Sequence, residues 1–186
     1  MQYKLTTPCA AEDLAPLKAG DTVLLSGVVY TARDQAHKRM LEALDKGEKL
    51  PFDLEGSAIY YVGPTPERPG EIIGSAGPTT SGRMDAMSPR LLDLGNKIMI
   101  GKGKRDAAVK EAVVRNGAVY LAALGGAGAL MAQSVKTLEV IAWPDLGCEA
   151  VRCLTVEDMP LTVILDAQGG DLYLSGPEAY REAQVK

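Results

Sequence analysis

The sequence predicts an α/β protein with a mainly parallel or mixed sheet flanked by helices. Up to about residue 135 of 186, strand-like apolar runs alternate with helical segments, which is the pattern of βαβ units. Beyond that point strand-like runs dominate, so we expect an added or antiparallel section there. The length suits one domain, residues 1–186, with room for one hydrophobic core and little room for two.

Each predicted strand is an apolar run that stops at a turn residue. In chain order the predicted strands cover residues 23–30, 58–62, 72–73, 98–100, 119–124, 138–143 and 161–166. Each predicted helix has apolar residues at helical spacing or a start or stop signal, such as Asn116-Gly117. The helical segments cover residues 34–44, 79–94, 106–116 and 129–135, and the proline-containing residues 65–70 form a loop.

The most informative segment is residues 74–85, which read GSAGPTTSGRMD and follow the apolar run 72–73. A strand, a glycine turn and a helix start leave backbone N–H groups free. The hydroxyls of Thr79, Thr80 and Ser81 and the guanidinium of Arg83 add further donors. The segment therefore predicts an anion-binding loop, and the alternative is an ordinary strand-to-helix turn capped by Thr or Ser.

Two other predicted strand ends also carry cations. Arg33 follows the strand at 23–30, and Lys102 follows the strand at 98–100. Because ligands of open α/β sheets collect at the carboxyl ends of the strands, these cations predict a ligand with more than one negative group, such as a dicarboxylate. The alternatives are that Arg33 pairs with Asp34 or caps its own strand, and that Lys102 is solvated together with Lys104 and Arg105.

Two further residues are expected to lie behind those that touch the ligand. Asp34 begins the predicted helix, and His37 lies one helical turn after Arg33. A nucleotide site is a weaker reading, because GKGK at 101–104 lacks the phosphate-loop spacing and GGAG at 125–128 lacks the GxGxxG register.

Composition excludes several classes of function. A net charge of -4 and an aromatic content of 5% argue against a nucleic-acid surface. Cys9, Cys148 and Cys153 include no CxxC pair, so no metal site and no self-sufficient iron–sulfur site is expected in this chain. We find neither a signal-peptide pattern nor an apolar run of roughly 18 residues, which predicts a cytoplasmic protein that does not cross a membrane.

Five ordered motifs resemble the β subunit, or C-terminal domain, of class I fumarate hydratases and L-tartrate dehydratases. They are TARDQAHKR at 31–39, IYYVGP at 59–64, residues 74–85, IGKG at 100–103 and EDMP at 157–160. The resemblance implies a swivelling β/β/α domain. It also implies an enzyme whose oxygen-sensitive [4Fe–4S] cluster is held by a separate α subunit, in a homo-oligomer or heterotetramer.

The resemblance assigns roles by motif position. Arg33 and Arg83 would bind substrate carboxylates, with Thr80 and Ser81 beside them. Lys102 would act as a catalytic residue that adds positive charge near the developing carbanion or the second carboxylate.

The same resemblance makes Thr79 the base. An aliphatic hydroxyl is a poor base unless nearby cations favour its alkoxide or it relays the proton onward, so Thr80 and Ser81 stay alternatives for proton transfer. Met87 stands near where the resemblance leads us to expect an aromatic residue, which bears on substrate preference.

The sequence therefore predicts the β subunit of a two-subunit hydro-lyase that interconverts malate and fumarate and is active only with its α subunit. The alternative within the same chemistry is L-tartrate dehydratase, which gives oxaloacetate. The alternative from another class is a non-catalytic dicarboxylate-binding module.

Overall fold

The computed structural model describes residues 1–184, so the last two residues of the predicted 1–186 domain lie outside the described residues. The seven strands are β1 (Gln2–Thr7), β2 (Thr22–Thr31), β3 (Ala58–Tyr60), β4 (Ile98–Gly101), β5 (Val119–Ala122), β6 (Val135–Ala142) and β7 (Val151–Leu165). The helices are α1 (Ala11–Leu14), α2 (Asp34–Asp45), α3 (Ser88–Asp93), α4 (Ala107–Arg115), α5 (Gly128–Gln133) and α6 (Leu172–Gln184). Two 3₁₀ helices span Ser81–Met84 and Pro144–Glu149.

The sheet is mixed, as predicted, and it closes on itself. Strands β1 to β5 are parallel neighbours, whereas β7 is antiparallel to β5, β6 and β2. Since β7 pairs with both β5 and β2, the five strands β2, β3, β4, β5 and β7 form a barrel-like arrangement, with β1 and β6 added outside it. The α/β class and the antiparallel C-terminal section are confirmed; the swivelling character stays a prediction.

Alternation along the central strands creates two hydrophobic cores. In β3, Ala58 and Tyr60 belong to the cluster enclosed by the strands, whereas Ile59 belongs with Tyr61 to the cluster under the helices. Helix α2 places Ala36 and Met40 in this second cluster, as its 3.6-residue periodicity predicted. Helices α2, α3 and α4 pack on the outer face through this second cluster, whereas α1 and α5 contribute Leu14 and Met131 to the first.

One predicted strand is wrong. Residues 72–73 lie in a loop, with Ile72 47% exposed and Ile73 buried. The Thr65 N–H donates to the Ser75 carbonyl at 3.1 Å, and the Ser75 N–H donates to Thr65 Oγ1 at 2.8 Å, so the chain closes into a loop. Pro64, Pro66 and Pro69 supply no backbone N–H, which disfavours a ladder in this segment.

The predicted helix from residue 79 is also shorter than expected. Thr79 and Thr80 are extended, and only the 3₁₀ turn Ser81–Met84 follows before α3. The Thr79 N–H donates to the Tyr61 carbonyl at 2.8 Å, and Thr80 forms a parallel bridge with Lys102. This pairing with the sheet holds the segment in an extended conformation where local propensity predicted a helix.

Four elements had no sequence prediction, namely β1, α1, the 3₁₀ helix Pro144–Glu149 and α6. Strand β1 lies at the edge of the sheet beside β2, and β7 runs for fifteen residues, of which only the last part was predicted. No helix within residues 1–184 is long and apolar enough to cross a membrane.

Candidate functional site

The carboxyl ends of β2, β3 and β4 lie side by side at one edge of the sheet. Thr31 aligns with Tyr60, and Tyr60 aligns with Ile100. Two residues past these aligned ends come Arg33 and Lys102. Parallel pairing of β2, β3 and β4 therefore brings Arg33 and Lys102 to the same edge of the sheet.

The segment of residues 79–85 crosses this edge. Its backbone is joined to β3 through the Thr79–Tyr61 hydrogen bond and to β4 through the Thr80–Lys102 bridge. The Ser81 N–H also donates to the Lys102 carbonyl at 2.9 Å. Residues 79–85, which carry Arg83, thus lie at the same edge as Arg33 and Lys102.

Arg33 is held in place by its own chain. Its Nη2 lies 3.3 Å from Glu149 Oε1, and only 19% of the side chain is exposed. A side chain at Gly63 would bring its Cβ to 2.7 Å from Arg33 Nη1 and 3.2 Å from the Cys148 carbonyl oxygen, which only glycine avoids. Gly63 therefore creates the space that the guanidinium occupies.

Asp34 lies between the two arginines. Its Oδ1 is 3.9 Å from Arg33 Nε and its Oδ2 is 3.8 Å from Arg83 Nη1, while 54% of the Arg83 side chain is exposed. Arg33 Nε and Asp34 Oδ1 are buried and lack a hydrogen-bond partner within residues 1–184. Unpaired buried polar atoms are uncommon in folded proteins, and a catalytic role is one explanation for them.

His37 lies beneath these residues and is fully buried. Its Nδ1 is 3.0 Å from the Arg33 carbonyl oxygen, which can only accept, so Nδ1 carries the proton. Its ring meets Tyr61 edge-on at 5.3 Å between centroids. Burial lowers the pKa of His37 to about 4, which keeps the imidazole neutral at pH 7. The predicted supporting role of His37 behind the ligand-binding residues stays a prediction.

The three hydroxyls of residues 79–81 have different surroundings. Thr79 is half-buried and Thr80 is exposed, and neither hydroxyl forms a hydrogen bond within the described part of the chain. Ser81 is fully buried, and its Oγ accepts from the Lys102 N–H at 3.0 Å and lies 2.9 Å from the Tyr120 hydroxyl. The Ser81 hydroxyl therefore faces the interior, whereas Thr79 and Thr80 are the ones free to contact a ligand.

Lys102 is exposed, with its backbone fixed by Ser81 and its Cδ 4.0 Å from the position that a Cβ on Gly125 would take. Its ammonium forms no ion pair among residues 1–184. The expected solvation of Lys102, Lys104 and Arg105 as a group is wrong for Arg105. That side chain has no exposed surface and pairs with Asp85.

Sequence reasoning missed Glu149 as part of this edge. It comes from the connection between β6 and β7, where its Oε2 accepts from the Gln35 N–H at 2.9 Å. Because more than a hundred residues separate the two in the chain, no local pattern indicates the contact.

The site is also an open edge. A cleft of about 540 Å³ lies elsewhere, between loop residues 65–75 and α5, and includes none of the predicted site residues.

The cysteines do not form a ligand set. Cys9 is buried, Cys153 is half-buried and Cys148 is exposed. Within residues 1–184, no group of three or more His, Cys, Asp or Glu side chains lies close enough together to hold a metal ion. Burial raises the pKa of the Cys9 thiol to about 11, which disfavours the thiolate that a metal ion would need.

The fold and this edge define an α/β domain suited to bind a small polyanion. Two arginines share one aspartate, and the edge also carries Lys102 and two threonine hydroxyls. Residues 1–176 match the protein-family model described as the fumarase C-terminus, and the chain belongs to that family.

Relatives of the chain include fumarate hydratases and tartrate dehydratase β subunits. The chain is 39% identical over 168 residues to fumarate hydratase 2 of Leishmania major and 40% identical over 151 residues to the aerobic class I fumarate hydratase of Escherichia coli K12. These alignments cover 87% and 80% of the chain but only 29% and 28% of the relatives, so the chain spans less than a third of their length. It is 32% identical to the L(+)-tartrate dehydratase subunit beta of Escherichia coli K12, over 98% of the chain and 92% of that subunit.

Proposed function

We propose that this chain is the β subunit of a two-subunit hydro-lyase that catalyses the reversible hydration of fumarate to malate. The observation that carries the proposal is the edge at which Arg33 and Arg83 share Asp34 beside Lys102. Family membership and the names of the relatives support the reaction class.

Substrate binding is assigned to the two arginines. A guanidinium forms paired hydrogen bonds with a carboxylate, and a dicarboxylate offers one carboxylate to each arginine. In the free chain the carboxylates of Asp34 and Glu149 lie 3.3 to 3.9 Å from these guanidinium groups, so a bound dicarboxylate competes with them. Thr80, exposed on the same segment, is assigned as a further donor to a substrate oxygen.

Proton transfer is assigned to Thr79. Dehydration of malate removes a proton from the carbon next to a carboxylate and hydroxide from the neighbouring carbon, and hydration reverses both steps. Negative charge develops on the carboxylate as the proton leaves, and the Lys102 ammonium stabilises that charge. We also assign Arg83 and Lys102, the exposed cations of the two paired segments, to favouring the Thr79 alkoxide, which a neutral aliphatic hydroxyl needs to act as a base.

Ser81 receives a different assignment from the substrate-binding role that the sequence predicted. Its buried hydroxyl bonds to Lys102 N–H, so we assign it to anchoring Lys102. The [4Fe–4S] cluster implied by the resemblance is assigned to an α subunit, because the cysteines of this chain do not form a ligand set. The proposed assembly contains the α subunit, and a homo-oligomer and a heterotetramer stay the alternatives.

The test is an anaerobic assay of the chain alone and of the complex with its α subunit. We expect no turnover by the chain alone and fumarate hydration by the complex. Arg83→Ala should raise the KM for fumarate at least tenfold, because it removes a charged hydrogen-bond donor. Arg90→Ala, which removes another half-exposed arginine, paired with Asp45 at 2.5 Å, should leave KM unchanged. Equal KM values for the two variants would overturn the site assignment.

The second candidate is L-tartrate dehydratase, which the near full-length match to a tartrate dehydratase β subunit favours. This reaction would use the same sheet edge with Arg33, Arg83 and Lys102, because tartrate is also a 2-hydroxy dicarboxylate. Comparing kcat/KM for fumarate and L-tartrate in the same preparation decides between the two. Dicarboxylate binding by the chain alone, with no turnover by any complex, would instead indicate a binding module.

A further inference from the structure

Two backbone segments carry the exposed groups of the candidate site. Residues 79–85 carry Thr79 and Arg83, and residues 101–106 carry Lys102. Hydrogen bonds in both directions join the segments at one point. The Ser81 N–H donates to the Lys102 carbonyl at 2.9 Å, and the Lys102 N–H donates to Ser81 Oγ at 3.0 Å.

A second joint lies further along both segments, between Asp85, four residues after Ser81, and Arg105 and Asp106, three and four residues after Lys102. Arg105 Nε donates to Asp85 Oδ1 at 2.5 Å, and the Asp106 N–H donates to Asp85 Oδ2 at 2.7 Å. The Arg105 guanidinium also donates to Ser88 Oγ at 2.9 Å and to Met99 Sδ at 3.3 Å. The second joint is therefore a buried ion pair in which each of the three guanidinium nitrogens of Arg105 has a hydrogen-bond partner.

Tyr120 on β5 connects the two joints. Its hydroxyl lies 2.9 Å from both Ser81 Oγ and the Gly103 carbonyl oxygen. Since the carbonyl only accepts, Tyr120 donates to Gly103 and accepts from Ser81. The Tyr120 ring also lies 5.0 Å from Arg105 Cζ, within range for a cation–π contact. One side chain from the strand behind the site thus touches both joints.

The buried Asp85–Arg105 pair contributes more to the orientation of the two segments than to the stability of the fold. A buried ion pair gains little net stability, because desolvation of both charges offsets their attraction, but the pair fixes the geometry of the groups that carry it. Here the groups that it fixes are the backbones of two segments. The separation of the Arg83 and Lys102 side chains depends on that alignment, because each segment carries one of them.

We infer that Tyr120 and the Asp85–Arg105 pair are positioning residues for the reaction. They hold residues 79–85 against residues 101–106, so that the Thr79 hydroxyl and the Lys102 ammonium keep a fixed separation. The inference rests on the proposed hydro-lyase function. Neither Tyr120 nor Arg105 is expected to touch substrate, because both side chains are buried.

The test compares Tyr120→Phe with Ser57→Ala in the complex with the α subunit. Each variant removes one buried hydroxyl. Ser57 accepts from Asn96 Nδ2 at 3.0 Å, just before β3 and at the opposite edge of the sheet. We expect similar shifts in unfolding temperature. Only Tyr120→Phe should lower kcat, by about tenfold with KM within twofold, because misplaced catalytic groups lose rate even when substrate binding persists.

A second pair of variants tests the ion pair. Arg105→Lys keeps the charge but loses the fork geometry, whereas Arg115→Lys makes the same change in the exposed pair with Asp93, whose Nη2–Oδ2 distance is 2.8 Å. Arg105→Lys should lower kcat and Arg115→Lys should not. If Arg105→Lys does not fold, the Tyr120→Phe result decides.

The activity of the wild-type complex separates a failure of the positioning role from a failure of the proposed function. A wild-type complex that is active while Tyr120→Phe keeps kcat within twofold of it would overturn the positioning role alone. A wild-type complex inactive on both fumarate and L-tartrate would overturn the proposed function and the positioning role with it.

Discussion

Asp34 lies less than 4 Å from both arginine side chains of the candidate site. Sequence reasoning placed Asp34 at the helix start and left open whether it pairs with Arg33. The structure shows this contact and adds Arg83, whose position depends on segment 79–85 crossing the sheet edge. The residue types could therefore be read from the sequence, but the shared aspartate could not, because it depends on the pairing of distant strands.

Burial of His37 lowers the pKa of its imidazole, which makes the stability of the fold depend on pH. The folded chain holds the imidazole neutral with a pKa of about 4, whereas an unfolded histidine has a pKa near 6.5. Between these values the unfolded state binds more protons, so the stability contributed by neutral His37 is present above pH 6.5 and is lost as the pH falls towards 4. The slope in that window is about 1.4 kcal/mol per pH unit.

This slope gives a testable difference. Between pH 7 and pH 5, wild type should lose about 2 kcal/mol more free energy of unfolding than His37→Gln, because only wild type has the imidazole to protonate. Denaturant unfolding at the two pH values measures the difference, and comparison with the variant removes the contribution of carboxylates that titrate nearby. An equal loss in both proteins would show that His37 is not held neutral.

At the scale of elements, the site depends on how loops lie across strand ends. Residues 79–80 have the composition of a helix start, yet they are extended because Tyr61 and Lys102 pair with their backbone. Likewise, the run at 72–73 has strand composition but lies in a loop that also contains Pro64, Pro66 and Pro69. Local patterns gave the strands and helices that carry the site, whereas tertiary hydrogen bonds decided the conformation of the connecting segments.

Gly63 offers a test at this scale that leaves the charges of the site unchanged. Gly63→Ala would place a methyl group 2.7 Å from Arg33 Nη1, so the flexible guanidinium must move. We expect the KM for fumarate to rise about tenfold as the arginine loses its alignment with a carboxylate.

Gly176→Ala is the matched control, because its Cβ would lie 3.6 Å from Leu172 Cδ1 in α6, an ordinary contact. It should leave KM unchanged. If the two alanine variants have the same KM, the position of Arg33 does not matter for substrate binding.

At the scale of the whole molecule, β7 determines the architecture. Its fifteen residues pair with β2, β5 and β6, which closes the barrel-like sheet and brings the connection with Glu149 to the site edge. The sequence indicated only the last part of this strand, because a strand with three partners has no single alternating pattern. The mixed sheet was predictable from the alternating strands and helices followed by a strand-rich C-terminal part. The placement of Arg33 and Lys102 at one edge follows from the parallel pairing of β2, β3 and β4.

The central claim is that this edge of the chain is where the reaction takes place. The most direct test is the kcat for fumarate hydration by anaerobic complexes that carry Lys102→Met or Lys104→Met. Both lysines are exposed and lie two residues apart. Loss of a positive charge that stabilises the transition state should lower kcat about a hundredfold for Lys102→Met. Lys104→Met should stay within twofold of wild type, and equal kcat values for the two variants would contradict the account.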